Sequence, residues 1–188
     1  NGAATTASFK VGDAIDIIVN STGNSSVIVI HVPGNDTNGT VTVIINGTNY
    51  TGNVTNGTVI INLTNVTPGD HNATIIYVDG NNNTFEYNTT ISVPKWDSAI
   101  NATGVDIIEG FDEVITVVVT PVNATGVVLV NINGKGYYGN ITKDGKVEIA
   151  ITGLNAGNYT ASVIYEGNDY YSGSTTTVSF KVGDAITT

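Results

Sequence analysis

The chain carries one pattern twice. Val41-Thr-Val-Ile-Ile-Asn-Gly47 matches Val128-Leu-Val-Asn-Ile-Asn-Gly134, and Gly52-Asn-Val-Thr55 matches Gly139-Asn-Ile-Thr142. Past a one-residue insertion, Pro68-Gly69 falls on Ala156-Gly157, and Ile76-Tyr77 on Ile164-Tyr165. The offset of roughly 87 residues is the size of one β-sandwich module. A chain of 188 residues therefore has room for two such modules, expected over 1–95 and 96–188. Between them lies Val93-Pro-Lys-Trp-Asp97. Proline leaves a strand there because it cannot donate to a ladder, so the stretch reads as a linker. Pro94 and Trp96, the latter the only tryptophan, are the expected interdomain residues, with the indole packed in the seam.

A second repeat works on a longer scale. Ser8-Phe-Lys-Val-Gly-Asp-Ala-Ile15 recurs as Ser179-Phe-Lys-Val-Gly-Asp-Ala-Ile186. The sequence begins and ends on the same junction, as expected if a longer parent protein repeats this two-module unit. A chain without methionine that starts at Asn1 fits a piece of such a parent, with any signal or anchor outside it.

The local pattern is β throughout: short runs of Val, Ile and Thr punctuated by Gly, Asn and Asp. Strands are expected at 27–32, 41–45, 49–53, 58–63, 72–78 and 84–93. In the second half they are expected at 114–120, 127–132, 137–140, 147–151, 159–165 and 175–182, with an edge strand near 105–108. Asn133-Gly134 and Asp144-Gly145 sit where hairpin turns need positive φ. No stretch has apolar residues at helical spacing over three turns, so no helix is expected. The fold class is all-β: two tandem immunoglobulin-like antiparallel β-sandwiches. Leu154-Asn-Ala-Gly-Asn-Tyr159 has the form of a tyrosine corner, with the Tyr159 hydroxyl returning to the backbone of the preceding connection. His71 holds the same place in the first half.

Composition removes several functions. There is no cysteine, hence no disulfide, thiolate metal site or cysteine nucleophile. The formal net charge is −10 and arginine is absent, which speaks against nucleic acid and against anionic membrane surfaces. The longest apolar runs are strand-sized, so no membrane insertion is expected in this segment. No nucleophile elbow or phosphate-cradling glycine loop is present, and no enzyme is expected. Glu109, Asp112 and Glu113 read as an acidic loop opening a strand rather than as a general acid–base pair.

The stretch Gly153-Leu154-Asn-Ala-Gly157-Asn-Tyr159-Thr-Ala-Ser-Val163-Ile-Tyr165-Glu-Gly167-Asn-Asp-Tyr-Tyr171-Ser-Gly-Ser174 resembles the closing half of bacterial-type Ig-like domain repeats. Those end in a strand of alternating apolar residues and a Tyr-x-Gly-Asp/Asn-x-x-Tyr/Phe-x-x-Ser stretch. The first module is a degenerate copy: Tyr77-Val-Asp-Gly80-Asn keeps the start of that stretch and loses its spacing. The Asn/Thr-rich, arginine-free style resembles adhesin-like surface proteins of methanogenic archaea. The resemblance implies an extracellular, cell-surface structural repeat acting as a semi-rigid stalk or spacer. Its alternatives are a filament subunit assembled by terminal strand exchange and a loop-based carbohydrate or cell-surface binding module. The implied partners are other copies in tandem or in a filament, and a host or microbial surface ligand.

Asn-x-Ser/Thr sequons occur about seventeen times, and the loop positions Asn24, Asn38, Asn82 and Asn123 are the expected glycan acceptors. No cofactor is assigned. Calcium is the one cation for which the loops at 79–83, 109–113 and 166–169 offer hard oxygen ligands, though none has EF-hand spacing. Lys10 and Lys181, in or beside terminal strands, are the lysines that a self-made isopeptide crosslink to Asn or Asp would use.

Overall fold

A computed structural model of the chain describes residues 5–11, 15–23, 25–33 and 38–185, with side chains from Ile15 onward. Asn24 and Ile186 lie outside the described residues. All regular structure among them is β, and the chain divides into two compact units, Asn1–Asp97 and Ser98–Thr188.

Unit 1 holds β1 (Thr5–Val11), β2 (Ile15–Thr22), β3 (Ser25–His31), β4 (Gly39–Ile45), β5 (Thr48–Asn53), β6 (Thr58–Leu63), β7 (Gly69–Asp79) and β8 (Thr84–Val93). They form two antiparallel sheets ordered β1-β2-β3-β6 and β5-β4-β7-β8. Alternation writes this directly into the sequence. In β3, Ser26, Ile28 and Ile30 face in while Val27 and Val29 are half-buried; in β4, Val41, Val43 and Ile45 face in. Ile28, Ile30, Val41, Val43 and Ile45, with Ile15, Ile17, Val19, Ile61, Ile75, Tyr77 and Ile91, make one continuous hydrophobic core. Burial of this face, worth ~1.5–3 kcal/mol per large side chain, is what fixes the register.

Unit 2 holds β9 (Ala99–Thr103), β10 (Ile107–Ile108), β11 (Glu113–Thr120), β12 (Val127–Ile132), β13 (Lys135–Asn140), β14 (Lys146–Ile151), β15 (Gly157–Tyr165) and β16 (Ser174–Gly183). Its sheets run β14-β11-β9 and β10-β16-β15-β12-β13, with β10 parallel to β16 and the other pairs antiparallel. Ile115, Val117, Val119, Ile149 and Ile151 face Val128, Val130, Ala161, Val163 and Phe180 across the interior.

The repeat survives in detail. Asn46-Gly47 and Asn133-Gly134 both turn with positive φ at both residues (52° and 78°; 51° and 82°), the two-residue turn that matches strand twist. Gly52 and Gly139 are glycine for a shared reason: a Cβ would come within 2.5 Å of Val59 Cγ2 or Val147 Cγ2. Those contacts are closer than any side chain tolerates, so the alanine variants would force the strands apart.

Two features differ from expectation. Strands β1, β2 and β9 are additional to those expected. In β2 the outward Ile18 blurs the alternation, and β9 has a single large apolar residue. The edge strand expected at 105–108 shrinks to Ile107–Ile108. Val105 and Asp106 are drawn instead into side-chain bonds: Val105 N donates to Glu113 Oε1 at 2.9 Å, and Lys181 N donates to Asp106 Oδ1 at 2.7 Å.

Candidate functional site

The loops of each unit are held by their own polar side chains. Tyr159 Oη donates to the Asn155 carbonyl at 2.9 Å, and its ring stacks on Phe180 with centroids 5.6 Å apart. His71 Nε2 lies 2.7 Å from the Thr67 carbonyl, so the Nε2–H tautomer closes the same four-residue corner. His31, the other histidine, sits on the sheet surface with Nδ1 3.0 Å from Thr58 Oγ1.

The Tyr165–Ser174 stretch works as a clamp. Tyr165 is buried, and its hydroxyl donates to the Thr125 carbonyl at 3.0 Å; burial raises that phenol above its ordinary pKa. Asn168 Oδ1 accepts the amides of Tyr170 and Tyr171, both at 2.8 Å. Asn168 Nδ2 donates to the Thr125 carbonyl at 3.1 Å. Buried Tyr171 donates to Asn123 Oδ1 at 3.0 Å. The residues that define the Ig-repeat resemblance thus fasten the β15–β16 connection to the β11–β12 connection. Unit 1 makes this turn with fewer residues. Asp79 Oδ1 accepts the amides of Asn81 and Asn83 at 2.9 and 2.8 Å, and Oδ2 accepts Asn83 Nδ2 at 2.8 Å. The Asn83 side-chain bond is the largest cause holding the Asp79 carboxyl below its usual pKa.

Glu113 corrects the sequence reading most sharply. It is not part of a solvated acidic loop: it is fully buried at the start of β11. Its Oε1 accepts Val105 N, and its Oε2 is buried without a hydrogen-bond partner. Desolvation, the largest cause, pushes its pKa above the ordinary glutamate value. Gly104 makes room for it, since a Cβ there would stand 2.8 Å from Oε1. One sequence signal pointed here: Glu113 extends the inward alternation of Ile115, Val117 and Val119 by one step. With Glu113 withdrawn into the core, the 109–113 loop loses a surface oxygen ligand. Among the described residues no group of three or more His, Cys, Asp or Glu is placed to hold a metal ion.

The glycan candidates Asn38, Asn82 and Asn123 are exposed, and Asn82 sits at φ 64° in the β7–β8 turn. Pro94 and Trp96 both belong to unit 1. The Pro94 carbonyl accepts Ser21 Oγ at 3.0 Å, and Ser21 Oγ is 2.9 Å from Ser26 Oγ. Trp96 is half-buried and lines a shallow groove with Ser25, Ser26, Leu63, Asn65 and Val66. Lys181 is exposed on β16; Lys10 lies on β1, whose side chains are outside the described set. No helix is long and apolar enough to cross a membrane among the described residues.

No family model and no curated protein matches the chain. Solved structures do resemble it at low identity. The fibronectin(III)-like modules of Clostridium thermocellum CbhA match at 16% identity and TM-score 0.40, over 97% of this chain and 95% of that one. A tetra-tandem repeat from the extending region of a large adhesion protein matches at 13% and 0.39, over 97% of this chain. A Ca2+-stabilized adhesin with which an Antarctic bacterium binds ice matches at 18% and 0.34, over 98% of this chain. The chain spans 49% of each of the latter two.

Proposed function

We propose that the chain is a structural repeat of an extracellular, surface-displayed protein, acting as a semi-rigid spacer rather than as a catalyst. The observation that supports it best is the duplication itself. One sandwich is used twice with the same turns and the same close-packed glycines, and the polar side chains of its loops are spent on one another. Tyr165, Asn168, Tyr171 and Asp79 bond within their own units, which stiffens each unit and leaves little converging chemistry for a substrate.

The connection supports the mechanical part of the reading. Trp96 packs on unit 1, and in unit 2 Ser98 Oγ donates to the Ser172 carbonyl at 2.6 Å and lies 2.9 Å from Ser174 Oγ. The chain is therefore tied down on both sides of Asp97, and a short tied connection restricts interdomain angles where a glycine-rich one would not. Exposed Asn38, Asn82 and Asn123 are the proposed glycan acceptors on this surface. Small-angle scattering tests the spacer role. A narrow interdomain distance distribution that broadens in Trp96→Ala supports it; a broad one unchanged by that substitution overturns it. Intact mass of native material reads the glycans.

A further inference from the structure

The strand β1 carries the sequence of a strand that closes a sandwich, yet it does not close one here. Thr5–Ile15 repeats Thr176–Ile186 with a single difference, Ala7 for Val178. In unit 2 the matching residues of β16 pair with β15, Tyr159 opposite Phe180 and Ala161 opposite Val178. Val178, Phe180 and Val182 point into the core. In unit 1 that closing place beside β7 is already filled by β8. β1 lies instead along the outer edge of β2, with Ser8 opposite Ile18.

That outer place is not one the module requires. Unit 2 is built on the same plan, and its sheet β14-β11-β9 ends at β9 with no strand beyond it among the described residues. Alternation decides which face of a strand is buried, and identical alternating residues fit the same groove. Phe9 and Val11 are, in sequence, the residues that Phe180 and Val182 supply beside β15.

We propose that Thr5–Val11 is a competing closing strand for the C-terminal sandwich of a second copy of this chain, taking the place beside β15 wherever Thr176–Val182 is displaced from it. Such pairing joins the start of one copy to the end of another, a head-to-tail contact that propagates. The resident β16 is covalently attached and has Val where β1 has Ala, so it keeps the place in an unperturbed copy. Weakening β16 exposes the exchange. This inference does not depend on the spacer role.

The test uses the full chain. Val178→Asp with Phe180→Asp disables β16, and Ser8→Cys with Thr160→Cys places thiols where Ser179 Oγ and Thr160 Oγ1 now meet at 3.0 Å. The chain has no native cysteine, so peptide mapping that finds residue 8 linked to residue 160 between copies reports this register, and 8–8 or 160–160 links do not. On oxidation the four-fold variant is expected to give a ladder of disulfide-linked species, and adding Phe9→Asp should abolish it. A peptide of residues 3–15 should bind the Val178→Asp/Phe180→Asp chain about tenfold or more tighter than wild type, because its competitor is gone. If the thiols stay free and the peptide does not bind the disabled chain, the proposal is overturned, including where the second sandwich fails to fold with peptide in excess.

Discussion

The two units share a scaffold and differ at the end where the chain leaves each one. In unit 2, Glu113 is buried there. In unit 1, the residue one repeat earlier is Ser26, also buried, whose hydroxyl meets Ser21 Oγ and through it the Pro94 carbonyl. Three residues past the last inward valine (Val93 or Val182), unit 1 has Trp96 half-buried, whereas unit 2 has exposed Ala185. The first strands differ to match. β2 stays paired with β3 through Thr22 and turns tightly, whereas β9 stops at Thr103 and the chain crosses to β10 in the other sheet. The physical cause is volume and polarity. Glu113 needs the space over Gly104 and an amide donor from Val105, which pulls the strand out of its sheet; two serines satisfy each other in place. Two copies of one β-sandwich therefore carry opposite solutions at one pole: a mutually bonded serine pair in unit 1, and in unit 2 a buried carboxyl with one oxygen bonded and the other not.

Four experiments can break or sharpen this contrast. The largest effect is expected from Tyr171→Ala, which empties a buried aromatic site and frees Asn123 Oδ1. It should destabilise unit 2 by ~3–5 kcal/mol. Hydrogen exchange should show this over residues 99–183 and leave 15–93 unchanged; loss of protection in unit 1 would refute separate cores.

Next is the pH response. The folded pKa of Glu113 is raised by burial, so the unit is most stable with the carboxyl protonated. That advantage is whole below the ordinary glutamate pKa of about 4.3 and is lost as pH climbs through the raised value. Unit 1 has serine at this place and no such contribution. Melting of Glu113→Gln should lose this part of the slope as pH rises from the ordinary glutamate value through the raised one; an unaltered slope would remove Glu113 as its source.

Tyr159→Phe comes third. The corner bond is solvent-exposed, so its loss should cost unit 2 ~0.5–1.5 kcal/mol, and His71→Phe no more than that in unit 1. Chemical denaturation checks both, and equal melting of wild type and Tyr159→Phe would count against the corner as a stabilising contact. Smallest is Ser26→Ala, which leaves the Ser21–Pro94 bond standing and should change unit 1 stability by no more than ~1 kcal/mol. A larger loss would mean that the serine pair, like Glu113, organises its pole.

What the sequence determined by itself is what short range controls. Inward alternation in β3, β4, β11 and β12, the Asn-Gly turns, and the corner contacts four residues long are all legible because backbone geometry and one-sided burial act within a few residues. The all-β sandwich class follows from them. The tertiary structure decided the rest. Whether an acidic residue at the edge of an alternating run lies in water or in the core depended on Gly104, whose lack of a Cβ leaves room for the carboxylate, and on the Val105 amide that bonds it. Where β1 pairs depended on which sheet edges were already filled. The same residues lie beside β15 as β16 and beside β2 as β1, because strand pairing is set by vacancy at an edge as much as by sequence.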